Sequence, residues 1–130
     1  MTVEQRIEKL EMQVKLLSSA REVEAREFRL VDGKGRARAV LAMDKHGPGV
    51  EFFDSKGKLR ATFCLDNDRP AIALLDEQGK VRTSLCVDKD GPRLVLLNKK
   101  GKVRASLYLS GRTSGLGFAD LKGNVTWSVP

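Results

Sequence analysis

Apolar residues recur along this chain with two different periods. Val3, Ile7, Leu10, Val14 and Leu17 follow one another at spacings of four, three, four and three. That is the narrow seam of a coiled coil rather than the broad stripe of a helix lying on a core. Thr2 and Gln5 stand where an N-cap and its capping-box partner belong. Helix-favouring composition runs on to about Arg26. From Phe28 the period becomes two, the signature of strands. The pattern predicts a helical arm over 1–27 and a β-domain over 28–130.

The β-domain is a repeat. Asp54-Ser55-Lys56-Gly57-Lys58-Leu59-Arg60 returns as Asp76 to Arg82, as Asn98 to Arg104, and in earlier and later copies as Asp32 to Arg38 and Asp120 to Thr126. Gly35, Gly57, Gly79, Gly101 and Gly123 keep a spacing of 22 without a slip. Each unit reads as a hairpin: a short strand, a turn with Asp or Asn first and Gly fourth, then a longer strand. The short strands are 28–32, 50–54, 72–76, 94–98 and 116–120. The long ones are 36–43, 58–65, 80–87, 102–109 and 124–129. Such a turn suits a type I bend closed by a left-handed residue, a conformation that glycine adopts without steric cost. The fold class is therefore mainly β: five consecutive 22-residue β-hairpin repeats, starting near 28, 50, 72, 94 and 116, in antiparallel meander order, about ten strands behind one N-terminal helix. The Asp-x-x-Gly hairpin repeat resembles the Tyr-Asp hairpin repeats of bacterial toxin shells. The Tyr-Asp pair is absent, so the resemblance carries no function across.

Simple alternation about a three-residue loop predicts the faces. One would carry Phe53, Leu59, Ala61, Phe63 and Leu65 and be almost wholly apolar. The other would carry Val50, Phe52, Arg60, Thr62 and Cys64 and be mixed. Neither face would be clearly polar. An antiparallel sheet in water usually has one solvated face. This sheet must then close as a barrel or be covered by other copies of the chain. The helical seam also asks for copies, since a lone helix of this length is marginal in water. Val3, Ile7, Leu10, Val14 and Leu17 are the expected oligomerisation residues, and a trimer is favoured over a dimer. An unidentified protein partner is compatible with the same surfaces.

Charge sharpens this picture. The chain carries +7 overall, while residues 1–27 hold five Lys/Arg against six Glu. The β-domain is thus the basic part. Arg38, Lys58, Arg60, Lys80, Arg82, Lys102 and Arg104 form repeated rows that could engage a nucleic acid or another polyanion. Aromatic interleaving for single strands is missing, with one Trp and one Tyr in the chain. The structural alternative is that these side chains cover the sheet and pair with its aspartates.

Candidate chemistry is sparse. His46 is the one histidine and lies in a turn. Cys64 and Cys86 occupy the same repeat position, so free thiols are expected over a bridge. No motif asks for a metal or cofactor, and none is expected. No apolar run approaches the ~20 residues of a membrane span, and no signal peptide is visible, which reads as cytoplasmic. The expectation is a non-enzymatic structural or interaction protein, a homo-oligomeric scaffold or display module. The alternative is a polyanion or nucleic-acid binding module.

Overall fold

The computed structural model describes residues 1–19 and 23–130. Helix α1 spans Val3–Ser19. Its capping box is formed: the Thr2 amide donates to Gln5 Oε1 at 2.9 Å and the Gln5 amide to Thr2 Oγ1 at 3.3 Å. The expected extension of the helix to Arg26 is corrected. Residues 23–26 are not helical, and 20–22 lie outside the described residues. The seam offers no further apolar residue after Leu17, so nothing there holds a helix against fraying.

Ten strands follow: β1 Glu27–Val31, β2 Ala37–Met43, β3 Pro48–Phe53, β4 Leu59–Asp66, β5 Arg69–Leu75, β6 Val81–Asp88, β7 Gly91–Leu97, β8 Val103–Ser110, β9 Thr113–Ala119 and β10 Val125–Val129. They make one antiparallel sheet in sequence order. β1 and β10 are its two edges, so the sheet is open rather than closed as a barrel. α1 packs on no strand.

Each tip turn is built in the same way. In the second hairpin Gly57 donates to the Asp54 carbonyl at 3.0 Å, and Asp54 donates to the Lys58 carbonyl at 2.9 Å. The loop is therefore Ser55-Lys56-Gly57, and Gly57 sits at φ 78°. The Asp54 carboxylate accepts from the amides of Lys56 and Lys58. Asp32, Asp76, Asn98 and Asp120 repeat the arrangement. The leading Asp or Asn and the glycine thus define the turn, one by closing two backbone donors, the other by its left-handed backbone.

A second irregularity lies just beyond each turn. Phe53 pairs with Leu59, but Phe52 pairs with Ala61, leaving Arg60 as an extra residue. The same bulge falls at Arg38, Arg82 and Arg104, and at Thr126 in the last hairpin. A bulge moves every later side chain of that strand to the other face. The predicted face sets are corrected accordingly: Val50 and Phe52 share a face with Ala61, Phe63 and Leu65. Phe53 and Leu59 lie on the other.

Candidate functional site

With the register fixed, one face carries an unbroken apolar row across all ten strands. It runs Phe28, Leu41, Val50, Phe63, Ile72, Leu85, Leu94, Leu107, Leu116, Val129, each directly opposite the next. A second row runs beside it from Leu30 through Phe52, Leu74, Leu96 and Phe118 to Trp127. Ala39, Ala61, Thr83 and Ala105 alternate with the large residues. The Phe118 and Trp127 rings close this row with centroids 5.4 Å apart. Pro48, Leu65, Pro70, Val87, Pro92 and Leu109 begin a third, partial row.

Among the described residues nothing packs over this face. Among the described residues no hydrophobic side chain is buried. Phe63 remains 54% exposed, Leu74 48% and Trp127 49%. The opposite face reads Arg29, Val40, Glu51, Thr62, Ala73, Ser84, Val95, Ser106, Gly117, Ser128. Small and polar residues dominate that row, but beside the tips the same face also carries Phe53 opposite Leu59, Leu75 opposite Val81 and Leu97 opposite Val103. The bulge changes which residues share a face, but neither face is wholly polar: one is apolar throughout, and the other is small and polar along its middle and apolar beside the tips.

Strand spacing of ~4.8 Å makes the sheet ~43 Å wide, and a two-residue step is ~6.8 Å, so two full rows cover about 600 Å² and the third, over six strands, raises this to about 750 Å². The largest apolar patch on a soluble monomer is about 300–600 Å². A stable protein–protein interface covers about 800 Å² per partner. Val3, Ile7, Leu10, Val14 and Leu17 on α1 are exposed as well, each by at least half. Ile7, Leu10 and Val14 line a shallow apolar groove on the helix.

The basic rows are tied into the sheet. Arg38, Arg60, Arg82 and Arg104 donate from Nε to the carbonyls of Phe53, Leu75, Leu97 and Ala119 at 3.0, 3.1, 2.8 and 2.5 Å. Each bond joins a bulge to the equivalent place on the next hairpin. Arg60 and Arg82 also lie 3.6 Å from the carboxylates of Asp54 and Asp76. Lys58 and Lys80 donate from Nζ to the Glu77 and Lys99 carbonyls, again one hairpin on. Arg36 reaches the Ser55 carbonyl in the same way. Lys102 makes no such bond among the described residues. Thr126 stands in the arginine's place in the fifth hairpin, and it bonds back to the Phe118 carbonyl. Sequence reasoning saw these residues as a surface row. Their constant place just after each glycine was the available sign of a bulge.

The turn carboxylates are held below their ordinary range. Asp32 is lowered to about 2, chiefly by the Arg36 guanidinium. For Asp54 and Asp76 the first cause is a backbone amide, that of Lys58 or Lys80. His46 lies in the joint between β2 and β3, one of the connections between successive hairpins, with Nδ1 3.7 Å from Asp66. Cys64 and Cys86 are free thiols on the polar face, in one row with Ala71 between them. Burial pushes the Cys64 thiol up. No three His, Cys, Asp or Glu side chains among the described residues converge as metal ligands. No helix among them is long and apolar enough to cross a membrane.

No family model matches the chain, and no curated protein matches it. Among solved structures it is similar to TarM of S. aureus, a mutant crystallised with fondaparinux, α-GlcNAc-glycerol and UDP, at 16% identity and a TM-score of 0.49. The match covers 84% of this chain and 23% of that one, so the chain spans under a quarter of that protein's length.

Proposed function

We propose that the chain is a non-enzymatic assembly module: a homotrimer in which three sheets turn their apolar faces to a common axis, with α1 forming a short parallel coiled coil at one end. The observation that carries this reading is the ten-residue row from Phe28 to Val129, left exposed in the single chain. Covering a Leu or Phe side chain contributes roughly 1.5–3 kcal/mol, and the row presents one such group on every strand.

The geometry suits a cyclic arrangement. The rows run along the direction in which the hairpins stack. α1 precedes β1, the first strand of that stack, so the helical seam and the sheet rows can share one axis. Three strips, each two to three rows wide, enclose a triangular core in which every row faces inward. The polar faces and the hairpin turns remain outside as a regular display surface. Ile7 and Val14 at one seam position with Val3, Leu10 and Leu17 at the other serve such a bundle, although the seam by itself leans to two strands. The sheet's own edges argue against linear growth: Glu27 and Arg29 pair on β1, a charged edge, and Thr126 ends the arginine ladder on β10.

The test is a charge placed in the middle of the row. Leu85→Asp and Leu94→Asp together are expected to abolish assembly. Ser84→Asp and Ser106→Asp, on the polar face, are expected to leave the particle mass unchanged. Equal masses for both double variants would overturn the proposal.

A further inference from the structure

Charge in the β-domain is divided between the two ends of the hairpins. The five tip segments, 31–38, 53–60, 75–82, 97–104 and 119–126, hold thirteen Lys/Arg and five Asp/Glu. The rest of 28–130 holds six of each. The whole positive excess therefore lies along one edge of the sheet, where all the tip turns emerge. The joint edge and both faces are balanced.

Within that edge the groups divide again. The arginines, Lys58 and Lys80 are spent on carbonyls of the next hairpin. The turn aspartates are spent on their own turn amides and on arginines. Lys34, Lys56, Lys100 and Lys122 hold the same turn position, immediately before the glycine, and Lys99 precedes Lys100. These five are exposed and take part in no ion pair among the described residues. Successive tips stand two strand spacings apart, ~9.6 Å, so the line of ammonium groups from the first tip to the fifth extends over ~38 Å.

We propose that this tip edge is a docking surface for the phosphate backbone of duplex nucleic acid, bound without sequence preference. Free ammonium groups on four of the five tips, interrupted at the third by Glu77 and Gln78, offer a spaced row of positive charge to an array of phosphates. The three-residue loops at the tips, 33–35, 55–57, 77–79, 99–101 and 121–123, carry no aromatic residue to stack on bases, so a single strand gains nothing over a duplex there. They carry one apolar residue, Leu121, so an anionic membrane finds no apolar insertion along the edge. This surface lies away from the apolar face and goes beyond the assembly reading.

The experiment is fluorescence anisotropy of a labelled mixed-sequence duplex titrated with the full chain. Four phosphate contacts imply an affinity that falls about 100-fold between about 50 and 200 mM salt. A variant carrying Lys34→Gln, Lys56→Gln, Lys100→Gln and Lys122→Gln is expected to bind at least about tenfold more weakly at low salt, with the salt slope reduced by about three to four. A control carrying Lys45→Gln, Lys89→Gln and Arg112→Gln, on the joint edge, is expected to bind as the parent does. Sedimentation of both variants reports assembly separately from binding. Protection of the tip lysines from acetylation by bound duplex, in the unsubstituted protein, gives the same reading without any variant. The proposal is overturned by absence of duplex binding at low salt, by equal weakening in the joint-edge control, or by capture on anionic vesicles alone.

Discussion

Arg60 donates from Nε to the carbonyl of Leu75, 3.1 Å away on the next hairpin. The residue that interrupts the pairing of β3 with β4 is therefore the residue that fastens this hairpin to its successor. The bond recurs from Arg38, Arg82 and Arg104. A repeat protein depends on contacts between adjacent units, since no single hairpin is stable alone. Here those contacts include a ladder of charge-assisted bonds along the tip edge.

Loss of one rung lowers stability more than loss of an exposed lysine bond. Arg82→Ala is expected to cost about 1.5–3 kcal/mol, the range for a hydrogen bond to a charged group. Lys80→Ala, which removes an exposed bond, is expected to cost under about 1 kcal/mol. Urea unfolding followed by circular dichroism compares them. Equal costs would mean that the Nε bond to the Leu97 carbonyl contributes nothing special.

The glycine ladder is a backbone requirement. Gly79 sits at φ 78° with open space around it, so only its conformation resists a side chain. Gly79→Ala is expected to destabilise by about 1–2 kcal/mol, the cost of a left-handed non-glycine residue. Gly33 has the same open surroundings without the positive φ, and Ser55, Glu77, Lys99 and Leu121 occupy its place in the other turns. Gly33→Ala is therefore expected to be neutral or stabilising. Thermal midpoints of the two variants decide it.

Acid weakens the fold through the turn carboxylates. Asp32, Asp54, Asp76 and Asp120 have folded values below their unfolded ones. Below the unfolded value the unfolded chain binds more protons, so stability rises with pH there. Their contribution is fully present above about pH 4. For Asp32 it is lost as pH falls toward about 2. Asn98 already holds the same turn amides without a titrating group. Asp54→Asn and Asp76→Asn are expected to flatten the decline of the thermal midpoint between about pH 4 and 2. An unchanged decline would assign acid sensitivity elsewhere.

If copies assemble as proposed, the helix seam and the sheet face are expected to contribute separably. Ile7→Asp and Val14→Asp, on α1, are expected to weaken association while leaving the strand signal in circular dichroism intact, because α1 touches no strand. Leu85→Asp is expected to disturb both, because it lies in the middle of the apolar row. Light scattering and circular dichroism on the same samples read the two effects.

Most of the strand order was legible in the sequence because glycine cannot be replaced cheaply at φ near 78°, and the 22-residue spacing follows from that. The loop Ser55-Lys56-Gly57 was legible for the same reason. The faces were not. Strict alternation places Leu59 with Ala61 and Phe63, and a single extra residue at Arg60 separates them. An arginine in a bulge and an arginine on an exposed strand leave the same letters in the sequence. The one sign was the arginine's constant place three residues after each glycine; its partner, a carbonyl 15 residues on, left none. The end of α1 was overextended because Val23 to Arg26 have helical composition but no apolar face to pack. The pairing of the strand arginines with Asp54 and Asp76 was legible as the structural alternative; their Nε bonds to carbonyls of the next hairpin were not.

Sedimentation equilibrium of the full chain, over a range of concentrations, measures directly whether copies cover the apolar face. A single species near three times the 14.4 kDa chain mass is the predicted result. A species at the mass of one chain, stable as concentration rises, would contradict it, because the row from Phe28 to Val129 would then be standing open to water.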